Sequence, residues 1–444
     1  MLTRIEIDGF KTFDRFALDL QPLTAVVGPN ASGKSNLFDA LRFISLLAKQ
    51  DIRSAMQDLR GEPEELFRRT SAGSAKHISF AVEVFLGSTG IDAFGTNYHI
   101  PTQRLRYELR ISLSDREQGG TRGIFVQHER CAPIHAKDDT SAFLKGKKFS
   151  RNSRVAPFIR ISETGDAIEV RQDGRQKHGR PVRYPLKEAA RTALSTITTA
   201  EFPHLNALRD ALGDIQFLEI NPHAARSSND RFEQTKLRPD ASNLAAVLAH
   251  LKSETATETR PDGVLSDIAA DLSSLIRSVR RLEVLDDINQ KQYSFRLEFD
   301  NGLKFSSRVI SDGTLRLLAL LTVLNDPKRR GVLCFEEPEN GVHEGRIPAL
   351  VRFLRHAAAF DSEGGEAPFQ VITNTHSPQV VEELKDTEIV VADSVMHIDP
   401  TSNERSSRTR MRTGVTAVGD MFNPERHLTR AEIERILRHA HDNA

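Results

Sequence analysis

A chain of 444 residues, 39% hydrophobic and 27% charged, excludes wholesale disorder and leaves room for two or three domains or one large discontinuous one. Lys+Arg and Asp+Glu both number 61, so a uniformly basic coat for nucleic acid is excluded and any such contact must use a local patch. Two cysteines, Cys131 and Cys334, exclude a disulfide scaffold. The opening MLTRIEIDGFKTF is no secretory signal, and no run approaches ~20 uncharged apolar residues, so the expected setting is cytoplasmic with no membrane contact.

In chain order, Ile5–Asp8 and Phe16–Leu20 read as short strands and Leu23–Val27 as a buried one. Residues 28–35 form a loop, and Leu37, Leu41, Ile44 and Leu47 give Asn36–Lys49 a helical spacing. Strands follow at His77–Leu86 and Arg104–Leu113, where Tyr107-Glu108-Leu109-Arg110-Ile111 alternates as in a half-exposed strand. From Gln127 to Pro203 the chain is polar, loop-rich and locally basic, with 13 Lys/Arg against 5 Asp/Glu between Lys145 and Arg191. Further helices are expected at Ser242–Lys252, Ser266–Arg281, Ser311–Leu324 and Arg346–Phe360, and further strands at Ser294–Phe299, Gly331–Phe335 and Phe369–Thr373. The tail carries Arg405, Arg408, Arg410 and Arg412 before a helix from Thr429. No internal repeat and no lasting heptad run is visible.

Gly28-Pro29-Asn30-Ala31-Ser32-Gly33-Lys34-Ser35 fits G-x-x-x-x-G-K-[ST] without mismatch, between a buried strand and an amphipathic helix. Its glycines allow successive N–H groups to point at phosphate oxygens, and the helix N-terminus adds a favourable dipole. Lys34 is placed to reach the β- and γ-phosphates and the Ser35 hydroxyl to ligate Mg²⁺. Downstream, the apolar strand GVLCF ends in Glu336 and Glu337. Alone this reads as a solvated acidic turn; with a phosphate loop upstream it reads as a Mg²⁺ ligand beside a water-activating carboxylate.

The order of these motifs resembles ABC-type ATPases of the SMC/RecF/OLD-like group, in a compact stand-alone form. Ser311-Asp312-Gly313-Thr314 stands where that family carries its LSGGQ-like signature loop. Glu336 and Glu337 match its Walker B acid and catalytic glutamate, Pro338–His343 its D-loop, and His376 in Thr373-Asn374-Thr375-His376-Ser377-Pro378 its switch histidine. Another reading of His376 is a buried, satisfied histidine near a turn. Gly9–Phe13 resembles the family's first hairpin. The stretch Leu237–Leu244 (LRPDASNL) is similar to small prokaryotic ATPases of the group. The family's pattern departs at Glu336, usually Asp; at Ala31, where Gly is common; and at Asp312 and Thr314, in place of Gly and Gln. Gln127 is the one candidate for a Q-loop glutamine.

The resemblance implies an α/β fold of P-loop NTPase type with a mixed sheet and flanking helices. Its discontinuous ATPase lobe is expected from residues 1–126 and 301–400, with an inserted α/β arm at 127–300 and a tail at 401–444. It implies ATP and Mg²⁺ as cofactors. Glu337 and His376 are then catalytic, and Ser35 and Glu336 bind the metal. Lys11, Thr12, Asn30, Ala31, Ser32, Gly33, Lys34, Ser35 and Asn36 contact nucleotide, and Ser311, Asp312 and Gly313 complete the site of a second copy. Thus it predicts ATP-driven assembly into a homodimer or higher homo-oligomer.

A transporter subunit is disfavoured by the loose signature, a chromosome-structuring SMC protein by the missing coiled coil, and a Toprim nuclease by the short span after Val390; Asp386 and Asp393 read as strand-flanking acids. Two outputs stay open. One is a sensor or regulatory ATPase of prokaryotic anti-phage defence with a separate effector, a nuclease or toxin. The other is a RecF-like DNA-binding ATPase of repair, using Lys145–Arg191 and the tail arginines, for which a solvated loop face is the competing reading. His439 and His441, at i and i+2, do not share a helix face for zinc.

Overall fold

The computed structural model describes the chain except residues 71–72, 119–120, 152–154, 175–180, 361–367, 399–404, 416–422 and 443–444, and except the side chains of 115–118, 121–122, 397–398 and 438–442. Arg154, Arg175, Lys177 and Arg180 of the basic stretch, and the His439 and His441 side chains, therefore lie outside the described residues. Two compact units are present. The first comprises Met1–Ile215, Phe360–Gln370 and Asp386–Ala444, the second Gln216–Ala359 and Val371–Lys385.

In the first unit an antiparallel sheet of eight strands runs in the order Val182–Pro185, Ala167–Val170, Ile159–Ile161, Thr121–Pro133, Arg104–Gln118, His77–Phe85, Leu2–Asp8, Phe16–Asp19. Strict alternation decides its faces: Ile5 and Ile7 point inward while Glu6 and Asp8 point out, and Tyr107, Leu109 and Ile111 are buried while Arg110 is exposed. The inner face receives the helix Lys34–Leu47, and the rings of Phe10, Phe43 and Phe80 meet there at centroid distances of 5.7–5.9 Å.

Leu23–Val27 is buried at every position, as its unbroken apolar run requires. It pairs in parallel with Ile389–Ile398, which pairs antiparallel with Arg405–Gly414, which in turn pairs in parallel with His427–Leu428. This part of the fold is a mixed sheet with a flanking helix, the α/β class expected. The strand Arg405–Gly414 was not expected, because RSSRTRMRTG carries only one large apolar residue; its ladder with Ile389–Ile398 imposes the conformation. The helix Pro203–Gly213 is also additional to the reading, with Pro203 in its first turn and Leu205, Leu208 and Leu212 buried.

In the second unit Gly331–Glu336 lies beside Gln216–Leu218, in parallel register, and beside the strand Phe369–Thr375. The helix Asp312–Leu324 buries Leu315, Leu317, Leu318, Leu320 and Leu321. Ser266–Arg281 is not one helix. The helix spans Leu265–Leu275, and Val279–Asp287 forms a hairpin with Gln292–Phe299, with Val279 buried at a spacing from Leu275 that imitates a helical one.

Thr121–Pro133 is one arm of a hairpin with Arg104–Gln118, and Arg405–Gly414 is laddered to Ile389–Ile398. Among the described residues no helix is long and apolar enough to cross a membrane.

Arg104, with no side-chain exposure, ties the first unit's sheet internally. It donates to Thr3 Oγ1 at 2.8 Å and the Val84 carbonyl at 2.9 Å, and it pairs with Asp139 at 2.8 Å and Glu83 at 3.3 Å. Removing it takes the buried partner from two carboxylates, leaving Asp139 to Arg151 at 3.0 Å and Glu83 to Arg106 at 3.3 Å, so Arg104→Ala is expected to cost about 3 kcal/mol in urea unfolding. Loss of Arg183, the exposed partner of Asp166, is expected to leave the unfolding midpoint unchanged.

Candidate active site

Within the first unit the loop 28–33 turns from the buried strand into the helix Lys34–Leu47 through three residues of positive φ: Gly28 at 150°, Ala31 at 61° and Gly33 at 97°. A Cβ on Gly28 would lie 2.3 Å from the Ala392 carbonyl oxygen, and one on Gly33 would lie 2.1 Å from Thr409 Oγ1. Both glycines are therefore required by sterics as well as by dihedral angle. Ala31 adopts the left-handed conformation with a Cβ, so its place in the motif carries strain.

The helix begins without a side-chain cap, which leaves its first N–H groups for an external acceptor. Ser32 Oγ is buried and has no hydrogen-bond partner among the described residues. The Lys34 ammonium donates to the carbonyls of Gly28 (2.7 Å) and Pro29 (2.8 Å), which centres its charge over the loop. Asn30, Ala31 and Ser35 are exposed. An unsatisfied hydroxyl, uncapped amides and an ammonium on one concave turn fit a polyphosphate.

The hairpin residues expected at the nucleotide are tied to this loop's helix. Lys11, at φ 48°, reaches Asp39 at 2.6 Å and the Arg60 carbonyl at 3.3 Å. Thr12 Oγ1 accepts from Asn36 Nδ2 at 2.8 Å and forms a hydroxyl–hydroxyl hydrogen bond with Thr409 Oγ1 at 2.6 Å. Gln127 sits at a bulge in its strand, and its Oε1 accepts from Ser112 at 2.9 Å.

In the second unit the strand Gly331–Glu336 runs into a turn whose first residue, Glu337, has φ 49°. A non-glycine residue held there is strained, and two acceptors on Asn374, the carbonyl at 3.0 Å and Oδ1 at 3.2 Å, hold its N–H. The Glu337 carboxylate accepts from Asn340 Nδ2 at 2.7 Å and faces His376 Nδ1 at 3.3 Å. The His376 side chain is 56% exposed, so the reading of a buried, satisfied histidine does not hold. Glu336 is half-buried. Among the described residues no three His, Cys, Asp or Glu gather into a metal cage.

Glu339 was not singled out in the sequence beyond its place in the turn. It accepts from the Thr375 hydroxyl, whose oxygen also receives the Ser377 N–H at 3.0 Å, so Glu339 braces the backbone on both sides of His376. Its Oε2 is buried without a partner among the described residues, and burial pushes the carboxyl above its ordinary value against the pull of Thr375 and His376. A glutamate two residues past a strand-end acid pair was the available signal.

Ser311 is the N-cap of the helix Asp312–Leu324, accepting from the Thr314 N–H at 3.3 Å. Gly313 packs on Gly341 of the turn after Glu337: a Cβ on Gly341 would lie 2.6 Å from Gly313 Cα. The LRPDASNL stretch is a structural brace. Buried Asn243 accepts from the Arg238 N–H and donates to the carbonyls of Gln234 and Lys236, and Pro239 and Asp240 accept from the N–H groups of Glu219 and Asn221.

A strand–phosphate loop–helix in a mixed sheet, with an acid-terminated strand and a switch-type histidine elsewhere in the chain, defines a P-loop ATPase of the SMC/ABC-like group. The chain belongs to the family described as "AAA domain, putative AbiEii toxin, Type IV TA system", which it matches over residues 23–382. The chromosome partition protein Smc of Desulfitobacterium hafniense is 27% identical over 320 residues, 68% of this chain and 25% of that protein. Smc of Bacillus subtilis is 41% identical over 95 residues, 21% of this chain and 7% of that protein. The chain thus spans about a quarter or less of these relatives' length. A solved Smc head bound to the C-winged helix domain of ScpA aligns with a TM-score of 0.49 at 12% identity, over 93% of this chain and 98% of that one.

A carboxyl whose folded pKa is raised favours folding below its unfolded value and loses that contribution as pH rises through the folded one. Glu339→Gln keeps the Thr375 contact and removes the ionisation. The variant is therefore expected to melt with the wild type near pH 4 and above it at pH 8; parallel melting curves across that range would show that Glu339 is not under this constraint.

Proposed function

We propose that the chain binds ATP with Mg²⁺, hydrolyses it, self-associates in the ATP-bound state, and serves as the sensor or regulatory subunit of a prokaryotic anti-phage defence system with a separate nuclease or toxin effector. The observation that carries the nucleotide reading is the loop itself: Ser32 Oγ without a partner, an uncapped helix start and Lys34 above them.

In this reading Asn30, Ala31, Ser32, Gly33, Lys34, Ser35 and Asn36 hold the phosphates, with Lys11 and Thr12 at their edge, and Ser35 and Glu336 hold Mg²⁺. Bound Mg-ATP supplies the phosphoanhydride bond to be cleaved. Glu337 accepts a proton from water, and His376, 3.3 Å from that carboxylate, orients it and senses the terminal phosphate. Ser311, Asp312 and Gly313 serve the nucleotide of a second copy. Residues 1–126 and 301–400 act as the ATPase, 127–300 as an arm and 401–444 as a tail, in the cytoplasm.

The defence reading is supported by the family's description as a type IV toxin–antitoxin AAA domain. The alternative in DNA repair has less behind it. Arg410 and Arg412 are both engaged by Asp393, at 2.7 and 2.9 Å. Arg151 is engaged by Asp139, and Lys147 lies over the Phe360 ring.

Light scattering and ATP turnover test this. Glu337→Gln is expected to accumulate as an ATP-bound dimer with turnover reduced roughly 10²-fold or more, and Lys34→Ala to bind no ATP. If neither wild type nor Glu337→Gln changes mass with ATP and Mg²⁺, self-association is wrong; if the wild type fails to bind ATP, the nucleotide reading is wrong.

A further inference from the structure

The loop that opens the helix Asp312–Leu324 has an electrostatic conflict. A helix start capped by Ser311 attracts anions, but Asp312 in its first turn places a carboxylate, 70% exposed, at the mouth. A second copy's triphosphate arriving there would meet like charge. The conflict is answered locally by Arg226. Its Nη2 donates to Asp312 Oδ1 at 2.5 Å and to the Ile310 carbonyl at 2.7 Å, and its own carbonyl accepts from the buried Ser307 hydroxyl at 2.8 Å. One arginine thus holds both sides of Ser311 and cancels the charge beside it.

Arg226 is itself firmly placed. It follows the short helix Pro222–Ala225, which Asn221 caps through the N–H groups of His223 and Ala224. The backbone of Glu219 and Asn221 is anchored on Pro239 and Asp240 of the LRPDASNL brace.

We propose that Arg226 is the charge-cancelling and positioning residue of the signature loop, making the mouth of the helix Asp312–Leu324 receptive to the terminal phosphate of a nucleotide carried by a second copy of this chain. The proposal rests on the nucleotide reading above. With the Asp312 carboxylate 70% exposed, the ion pair adds little to folding, so the roles of charge and of stability are separable by experiment.

The test uses the full chain as wild type, Arg226→Ala, Arg226→Gln, Asp312→Asn and the two double variants with Asp312→Asn. ATP-dependent self-association by light scattering, the split between KM and kcat, and the melting temperature without ATP are read for each. Both Arg226 variants are expected to raise the half-saturating ATP for self-association and KM on the order of tenfold, with kcat little changed. Asp312→Asn alone is expected to shift the half-saturating ATP by its own amount, and against it each double variant is expected to lose little further, because the charge that needed cancelling is gone. ATP-free melting temperatures are expected to agree across the set. Arg226 variants without a defect, or an Arg226 substitution that costs as much in the Asp312→Asn background as in the wild type, would overturn the proposal. Arg226→Gln guards against loss of the loop, since its amide still reaches for the Ile310 carbonyl without carrying charge. A wild type that neither binds ATP nor associates removes the nucleotide reading, and this proposal with it; a normal wild type with the wrong variant pattern removes this proposal alone.

Discussion

The phosphate loop owes its shape to strands that enter the fold some 360 residues later. Gly28 is pressed against the Ala392 carbonyl and Gly33 against Thr409, and the Thr409 N–H donates to the Thr12 carbonyl at 3.0 Å. Loop, first hairpin and strand Arg405–Gly414 thus form one cluster, closed by the hydroxyl contact between Thr12 and Thr409 across 397 positions. This closure carries a large entropic cost, offset by the ladders that Ile389–Ile398 makes with Leu23–Val27 and Arg405–Gly414. A compact unit made of both chain ends follows from that constraint, and an unstrained loop between Val27 and Lys34 is not available to it.

The second unit obeys a comparable rule at shorter range. Gly313 and Gly341 touch backbone to backbone, so the segment that follows Ser311 and the turn that follows Glu337 cannot move independently. On the other side of the same turn, Glu337 takes the Asn374 acceptors and Glu339 takes the Thr375 hydroxyl. Three segments, around 311–313, 337–341 and 374–377, are therefore linked by contacts that involve little besides backbone and short polar side chains. Strain at Glu337, on the order of 1–3 kcal/mol, persists because these neighbours over-determine the position.

What was legible in the sequence was whatever has a local cause. Leu23–Val27, the glycine-spaced loop, the helix after it and the acid-ended strand all show in unbroken or periodic apolar runs, and they fold where expected. Arg405–Gly414 was illegible, since its alternating arginines and serines become a strand only through pairing with a partner the sequence does not announce. Val279 misled because it follows Leu275 and Ile276 at spacings of four and three, which continue the helical pattern past the end of the helix into the strand. Asp386 and Asp393, read as strand-flanking acids, are the partners of Arg430 and of Arg410 and Arg412. That a basic run has private acids is a tertiary fact, which charge counting along the chain does not contain.

The acid-rich turn shows why residue type alone underdetermines chemistry here. Glu337 and Glu339 stand two positions apart on one turn, yet the side chain of the first is 42% exposed and faces a histidine, while the second is largely buried and faces a threonine. Burial pushes the Glu339 carboxyl above its ordinary value, while its hydrogen bond with Thr375 braces the His376 segment. The same logic governs the signature loop, where Asp312 keeps its carboxylate at an anion-seeking helix start because Arg226 sits on it. One acid is accommodated by a threonine hydroxyl under partial burial, the other by a direct arginine partner.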